Sequence, residues 1–384
     1  MKSLALLAFL SVSLPAFAAP TTTESPPQRV PYDASTPAGP HHRFHPNPIQ
    51  DPVTGQEFMG GYVEIASGLN FRTGQGQWLP TMEEFQIVNG HAVAASGPHQ
   101  VILSNNPKQP GAVDLLTPDG HRLRGHVLGL SLYNPTTGAS ELIAEVQDCV
   151  GELISPNQVQ FHRAFDTIDA SIRYTYKSSG LEQDIIFHEQ PSIPIDFQEP
   201  GCRIEVMTEW LELPPVQKTV QKLKEEKDAQ KRAAIVEPDL EDEHLDFGEM
   251  SMGPGRAFAL GAPRLAGSIP VAKRLVNIEG RTILFEAVEI ESAREELEKL
   301  PLVQAFWQRR SLDRTPSPQL RAQIPPAPER DSIAVAGRAA PIEQGITRLF
   351  AQNSPAPGFV IDWEVVSSVS GMRFKGYSTP GQDV

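Results

Sequence analysis

Cysteine is almost missing: the chain has two among 384 residues. That excludes a disulfide-stapled scaffold, and with no CxxC or Cys/His spacing it gives no zinc signature. Basic residues are the minority charge, 33 Lys and Arg against 47 Asp and Glu, for a formal net charge of −14. A phosphate-backbone binder needs a clustered cationic face, so this balance argues against nucleic acid and none is expected as a partner. Beyond the N-terminal segment no apolar run approaches the ~20 residues a membrane-spanning helix requires, so no transmembrane span is expected. GxSxG, HExxH, Walker and GxGxxG motifs are all missing. Gly253-Pro254-Gly255-Arg256 reads as a tight turn, because Pro254 has no amide to offer a phosphate. No cofactor and no catalytic residue is implied.

Proline is plentiful: 36 residues, about 9% against a usual ~5%. Such a density leaves little room for long helices. At the N-terminus Lys2 precedes the apolar stretch Leu4 to Leu14 and then Pro15-Ala16-Phe17-Ala18. A charged start, an apolar core and small residues before a cleavage point predict a secretory signal peptide over 1–18, cut after Ala18. In an oxidising compartment Cys149 and Cys202 can pair, with a loop-closure gain of roughly 4 kcal/mol, or remain two separate buried thiols; spacing alone leaves both open.

Residues 19–57, with Pro26-Pro27 and Pro40-His41-His42-Arg43-Phe44-His45-Pro46-Asn47-Pro48, read as an extended proline-rich tether. From Phe58 the hydrophobic period becomes two. Leu128, Leu130 and Leu132 share one predicted strand face and Val127 the other. Asn134-Pro135-Thr136-Thr137-Gly138 then turns the chain, and Leu142, Ala144 and Val146 alternate on the return. Ile172, Tyr174 and Tyr176 repeat the pattern, Ser178-Ser179-Gly180 turns, and Gln183, Ile185 and Phe187 come back. Further turn signals sit at Asn89-Gly90 and Pro118-Asp119-Gly120. These spacings predict an all-β domain over 58–310, an antiparallel sandwich or barrel, of which the β-sandwich is the expectation.

Within it, 216–249 is dense in Lys and Glu with a thin apolar stripe of Val216, Val220 and Leu223, which predicts a mostly solvated helical insertion followed by an acidic loop. Ser292 and Glu295 have capping-box spacing and predict a short C-terminal helix ended by Pro301. Residues 311–330 read as a second proline-rich linker. Residues 331–384 form a tail with one strand-like segment, Gly358 to Val366.

Candidate chemistry is sparse. His41, His42 and His45 cluster in the tether, which supplies neither the fixed geometry nor the supporting shell of a metal site. His121 and His126 are placed on opposite faces of a strand. Glu64, Glu83, Glu84, Asp166, Asp169, Glu182 and Asp184 offer carboxylate pairs, but only distance makes a glycosidase pair. Trp78, Tyr174, Tyr176 and Trp210 are candidate ligand-binding residues, since exposed rings stack on sugars; Tyr174 and Tyr176 share their face with Ile172, which favours core packing.

Asn157-Gln158-Val159-Gln160-Phe161, Ala164 to Ala170, Ile172-Arg173-Tyr174-Thr175-Tyr176 and Gly180 to Ile186 follow one another. This run resembles the strand-turn-strand unit near the N-terminus of very large secreted bacterial proteins, wall-associated and YD-repeat (Rhs-type), as do 271–301 and Val360 to Gly376 with leader regions of such proteins in Verrucomicrobia-like bacteria. The resemblance implies a secreted, non-enzymatic β module and carries over no catalytic residue. The expected function is therefore an exported structural or interaction module with a cell-surface protein or polysaccharide as partner. The alternative is a carbohydrate-binding or carbohydrate-active sandwich.

Overall fold

The computed structural model describes residues 42–50, 57–66, 68–262, 267–302, 347–348, 358–367 and 374–378. The expected signal peptide and the 311–330 linker lie outside the described residues. Strand β1 (His42–Gln50) pairs with β2 (Glu57–Ile65), and β3 (Asn70–Arg72) with β4 (Trp78–Pro80). A meander of β5 (Gln86–Val88), β6 (His91–Ala94), β7 (Gln100–Leu103) and β8 (Val113–Leu116) runs into the long β9 (Arg122–Asn134). Its first turn is Asn89-Gly90, with φ of 51° and 81°, the left-handed pair that a two-residue hairpin demands. Next come β10 (Ala139–Glu145), β11 (Glu152–Ser155), β12 (Gln158–Phe161), β13 (Ala170–Lys177) and β14 (Gly180–Phe187). They are followed by β15 (Arg203–Glu212), β16 (Gln217–Lys224), helix α1 (Ala229–Ala234), β17 (Leu240–Asp246), β18 (Met250–Met252) and β19 (Gly255–Ala259). The hairpin β20 (Ile269–Ile278)–β21 (Arg281–Glu289) leads into α2 (Ile290–Leu297). Late strands are β22 (Thr347–Arg348), β23 (Phe359–Ser367) and β24 (Phe374–Ser378).

The all-β, antiparallel character is as expected. In place of two separate layers, the strands form a closed barrel. Around the ring β9 pairs with β15, β15 with β21, β21 with β20, β20 with β19, and β19 with β23. The ring continues through β14, β13 and β12. β10 lies on β9, and a bridge from Val146 to Phe165 ties its end to the chain beyond β12. Strand β20 makes closure possible: Ile269 to Val271 pair with β19 while Ala272 to Ile278 pair with β21. The interior is one large apolar cluster. Ile172, Tyr174 and Tyr176 are buried within it, as the period-two reading requires, beside Trp210 and Trp363, whose rings lie 6.2 Å apart.

Several expectations need correction. Leu128 does not share a face with Leu130 and Leu132. Met207 faces Gly129 while Thr208 faces Val127, so Leu128 is an extra, bulged residue. It packs outside the barrel on Met207, Ile283 and Phe285, and Val127 points in. A second bulge, at Ile143, likewise sends Leu142 outward. The helical insertion is mostly strand: β16 pairs with β17, and only Ala229–Ala234 is helical. The lysines read as a solvated helix face are joined to acidic neighbours, Lys218 to Glu243 at 2.9 Å, Lys222 to Asp239 at 2.7 Å and Lys224 to Glu289 at 2.8 Å. Opposite charges on neighbouring strands favour the paired, extended chain over the helix.

Helix α2 begins at Ile290, ahead of the predicted capping box. No side chain caps it, and Ile290, Ala293 and Leu297 are its buried face. The tether contains a strand. Pro46 and Pro48, two apart, put both missing amides on one side of β1, which an edge strand tolerates. The tail strand does not stand alone: β23 is hydrogen-bonded to β14 on one edge and to β18 and β19 on the other. Cys149 and Cys202 are both free thiols, the first half-buried and the second buried in the core, so the possible disulfide is not formed. Burial pushes the Cys149 thiol up to about 12, which keeps it protonated and unreactive. Among the described residues no helix is long and apolar enough to cross a membrane.

Candidate functional site

Cross-strand register builds the site on the outer wall of the barrel. Along one row Tyr133 of β9 faces Arg203 of β15. In the next, Ser131, Glu205, Ala287 and Ala272 lie side by side across β9, β15, β21 and β20. In the third, Gly129, Met207, Phe285 and Arg274 do the same. The two alanines leave a depression between larger neighbours. The chain from α1 to β17 roofs it: the Val236 and Glu237 amides donate to the Thr136 and Pro135 carbonyls at 3.3 and 2.9 Å, anchoring the roof on the β9–β10 turn. The cavity, half open to solvent, has a volume of about 360 Å³, with Arg203, Glu205, Glu237, Ala287 and Arg274 among its lining residues. That volume lies in the range of small-molecule pockets.

Charge organises the cavity. Glu237 reaches down from the roof to accept from Arg203 Nη1 at 3.1 Å and from Arg274 Nη1. Both guanidiniums stack on the Tyr133 ring, at 5.6 and 5.7 Å, and Arg274 also lies 5.8 Å from the Phe285 ring. Burial acts against the Glu237 charge, but Arg274, Tyr133 and Arg203 outweigh it and hold that carboxyl below its ordinary range. Glu205, 1% exposed, behaves oppositely. Desolvation pushes its carboxyl up to about 7 despite Arg274 and Arg203, with Glu237 adding repulsion. Its Oε1 stands 4.0 Å from Arg274 Nη2, and its Oε2 has no hydrogen-bond partner. Ser131 Oγ is near enough to favour the charged form yet is itself unpaired, so its approach falls short of hydrogen-bond geometry. The remaining roof charges are satisfied: Asp239 accepts from Arg232, from Lys222 and from the Glu226 amide.

The residues singled out from the sequence are not brought together here. Tyr174, Tyr176 and Trp210 are buried in the barrel core and present no ring face to a sugar. Tyr174 donates to Gln183 Oε1 and Tyr176 to the His99 carbonyl. Trp78 is half-buried in the β3–β4 hairpin. Of the carboxylates, Glu182 and Asp184 do meet, joined by Asp362, their nearest oxygens within 4.8 Å. Arg173 holds Asp184 at 2.7 Å and Lys177 holds Glu182 at 2.7 Å, so two of these three buried carboxylates are paired with a cation. Glu83 accepts from the Ser178 amide and Asp166 from the Glu145 amide, both as loop caps.

Sequence reading missed three arrangements. Ser171 Oγ lies 2.9 Å from His188 Nε2, but Ser171 is fully buried, so the contact is internal packing. His126 sits 3.8 Å from Glu209, which Arg281 grips through both oxygens; burial pulls the imidazole down to about 4 and keeps it neutral. Lys273 and Asp242, both buried, pair at 2.6 Å near Glu286. The cavity itself was illegible, since its parts come from β9, β15, β20, β21 and the α1–β17 segment. Compared with protein-family models, curated proteins and solved structures, the chain finds no match.

Proposed function

We propose that this chain is an exported β module that works by recognition, binding a small polar group in the cavity between the barrel wall and the α1–β17 roof. The roofed, charge-lined cavity on an otherwise closed barrel is the observation that carries this reading. Export rests on the leader-like sequence up to Ala18 and on the resemblance to leader regions of large secreted proteins. The envisaged partner is a surface protein or polysaccharide that offers such a group. The aromatic sugar platform of the alternative reading gains no support, because three of its four rings are core residues.

The test has two arms. Material recovered outside the cytoplasm should give an intact mass beginning at Ala19; a cytoplasmic protein retaining Met1 would sink the export reading. In parallel, thermal shifts are measured with neutral sugars, small carboxylates and amines on the wild type and on Val236→Trp. Val236 is 63% exposed on the cavity rim, so the larger ring plugs the mouth without disturbing the core. At least one class should stabilise the wild type and leave Val236→Trp unmoved. Equal shifts in both proteins, or none in either, would overturn the cavity as the recognition site.

A further inference from the structure

The cavity holds two guanidiniums and two carboxyl groups that interact directly, Arg203 and Arg274 with Glu237 and Glu205. If Glu205 is ionised, charges balance two against two. If Glu205 is protonated, two cations share the single charge of Glu237. The other charged lining groups do not alter this count: Arg232 is tied to Asp239, Lys273 is spent on Asp242, and Glu241 is exposed at the rim. Arg203 Nε is also unpaired but is buried, so Arg274 is the guanidinium whose spare capacity a ligand can reach. Only its Nη1 donates a hydrogen bond; Nη2 stands 4.0 Å from Glu205, and the side chain is 35% exposed. Tyr133 and Phe285 hold the guanidinium plane in place, so its free edge is already oriented.

Resting on the reading of this cavity as a binding site, we propose that it takes a small organic carboxylate, which pairs with the free edge of Arg274 while Glu205 beneath it carries a proton taken up from solvent. The ligand supplies the second negative charge, and the proton removes the repulsion that Glu205 would otherwise exert on it. Binding and protonation are thus linked, one proton for one anion. Because Glu205 titrates at about 7, the binding-competent form is filled below that pH and is depleted above it. Every charged or titratable group facing Glu205 is accounted for: Arg274 of β20, Arg203 of β15, Glu237 of the roof and Tyr133 of β9. Tyr133, raised well above its ordinary range by burial and Glu237, stays neutral throughout.

The experiment is calorimetric titration of the full chain with acetate, glucuronate and glucose at pH 6 and pH 8. Acetate or glucuronate should bind at pH 6 and weaken about tenfold at pH 8, while glucose should not bind. Acetate binding alone marks a free carboxylate as the ligand; stronger glucuronate binding marks an acidic sugar of a polymer. Glu205→Gln, neutral at both pH values, should bind the same anion with the pH dependence gone, and Arg274→Gln should lose binding with the fold retained by circular dichroism. Binding of glucose as well as glucuronate, or unchanged affinity in Arg274→Gln, overturns the carboxylate proposal. Should glucose bind wild type but not Val236→Trp, the carboxylate proposal falls and the cavity reading stands. Should none of the three bind, the carboxylate proposal falls, and the cavity reading falls with it only if amines also fail to shift the wild type.

Discussion

At the scale of single residues, the fold's most demanding feature is ionisable groups taken out of water. Glu286 points to the barrel interior from β21, between Leu284 and Val288 of the core. Burial pushes its carboxyl up to about 8, Lys273 pulls the other way, and the Asp362 charge adds to the rise. The Trp363 indole N–H favours the charged form but lies outside hydrogen-bond geometry, leaving both carboxyl oxygens unpaired. The sign of the pH effect follows. A carboxyl raised in the folded state stays protonated there while the unfolded chain, near 4.5, has ionised, so folding binds the extra proton. Stability from this group is complete below pH 4.5 and is lost as pH rises toward 8. Glu286→Gln should therefore flatten the decline in stability between pH 5 and pH 8, and at pH 8 be the more stable protein by about 1–3 kcal/mol. Urea melts at both pH values decide it; a variant that keeps the wild-type slope would mean that Glu286 is already charged.

Elements show where local pattern and final structure part. The region 216–249 has the composition of a solvated helix, yet β16 and β17 are held as strands by register and by lysines that reach acidic partners. Helix α1 has no buried residue; its support is the Asp228 cap, accepting from the Gln230 and Lys231 amides, and the Arg232–Asp239 pair. Isolated helices of this length do not persist in water. Replacing 227–235 by a short glycine-serine link should change the unfolding free energy by less than about 1 kcal/mol, since closing a loop depends weakly on its length. Cooperative unfolding of the barrel should remain. Loss of cooperativity on chemical denaturation would show that the roof belongs to the folding core.

Across the whole molecule, late residues complete early ones. β23 carries Phe359, Ile361, Trp363 and Val365 into the main core, and two residues of its other face, Val360 and Asp362, are buried as well. It hydrogen-bonds along the full length of β14 and bridges β18 and β19. A chain truncated before Gly358 would leave β14 as an open edge and uncover that core face. Its near-UV circular dichroism and cooperative transition should be lost, whereas removing 379–384, beyond β24, should leave both intact. A folded truncation product would mean that β23 is replaceable by another strand.

What the sequence determined by itself was local. Alternation at Ile172, Tyr174 and Tyr176, the Asn89-Gly90 turn, and turn-strand spacing along 58–310 sufficed for an all-β, antiparallel class, because a period of two and a left-handed turn pair are properties of adjacent residues. The tertiary structure alone decided the rest. The bulge at Leu128 is invisible until β15 fixes the register, and a one-residue slip reverses a side chain's face. Barrel closure depends on β20 serving two partners. The cavity exists because Ala272 and Ala287 fall into one row with Glu205, beneath a roof from a segment that reads as helix. Residues distant in sequence acquire their chemistry from desolvation and neighbours, and Glu205, on the outer wall, has neither until the strands are in register and the roof covers it.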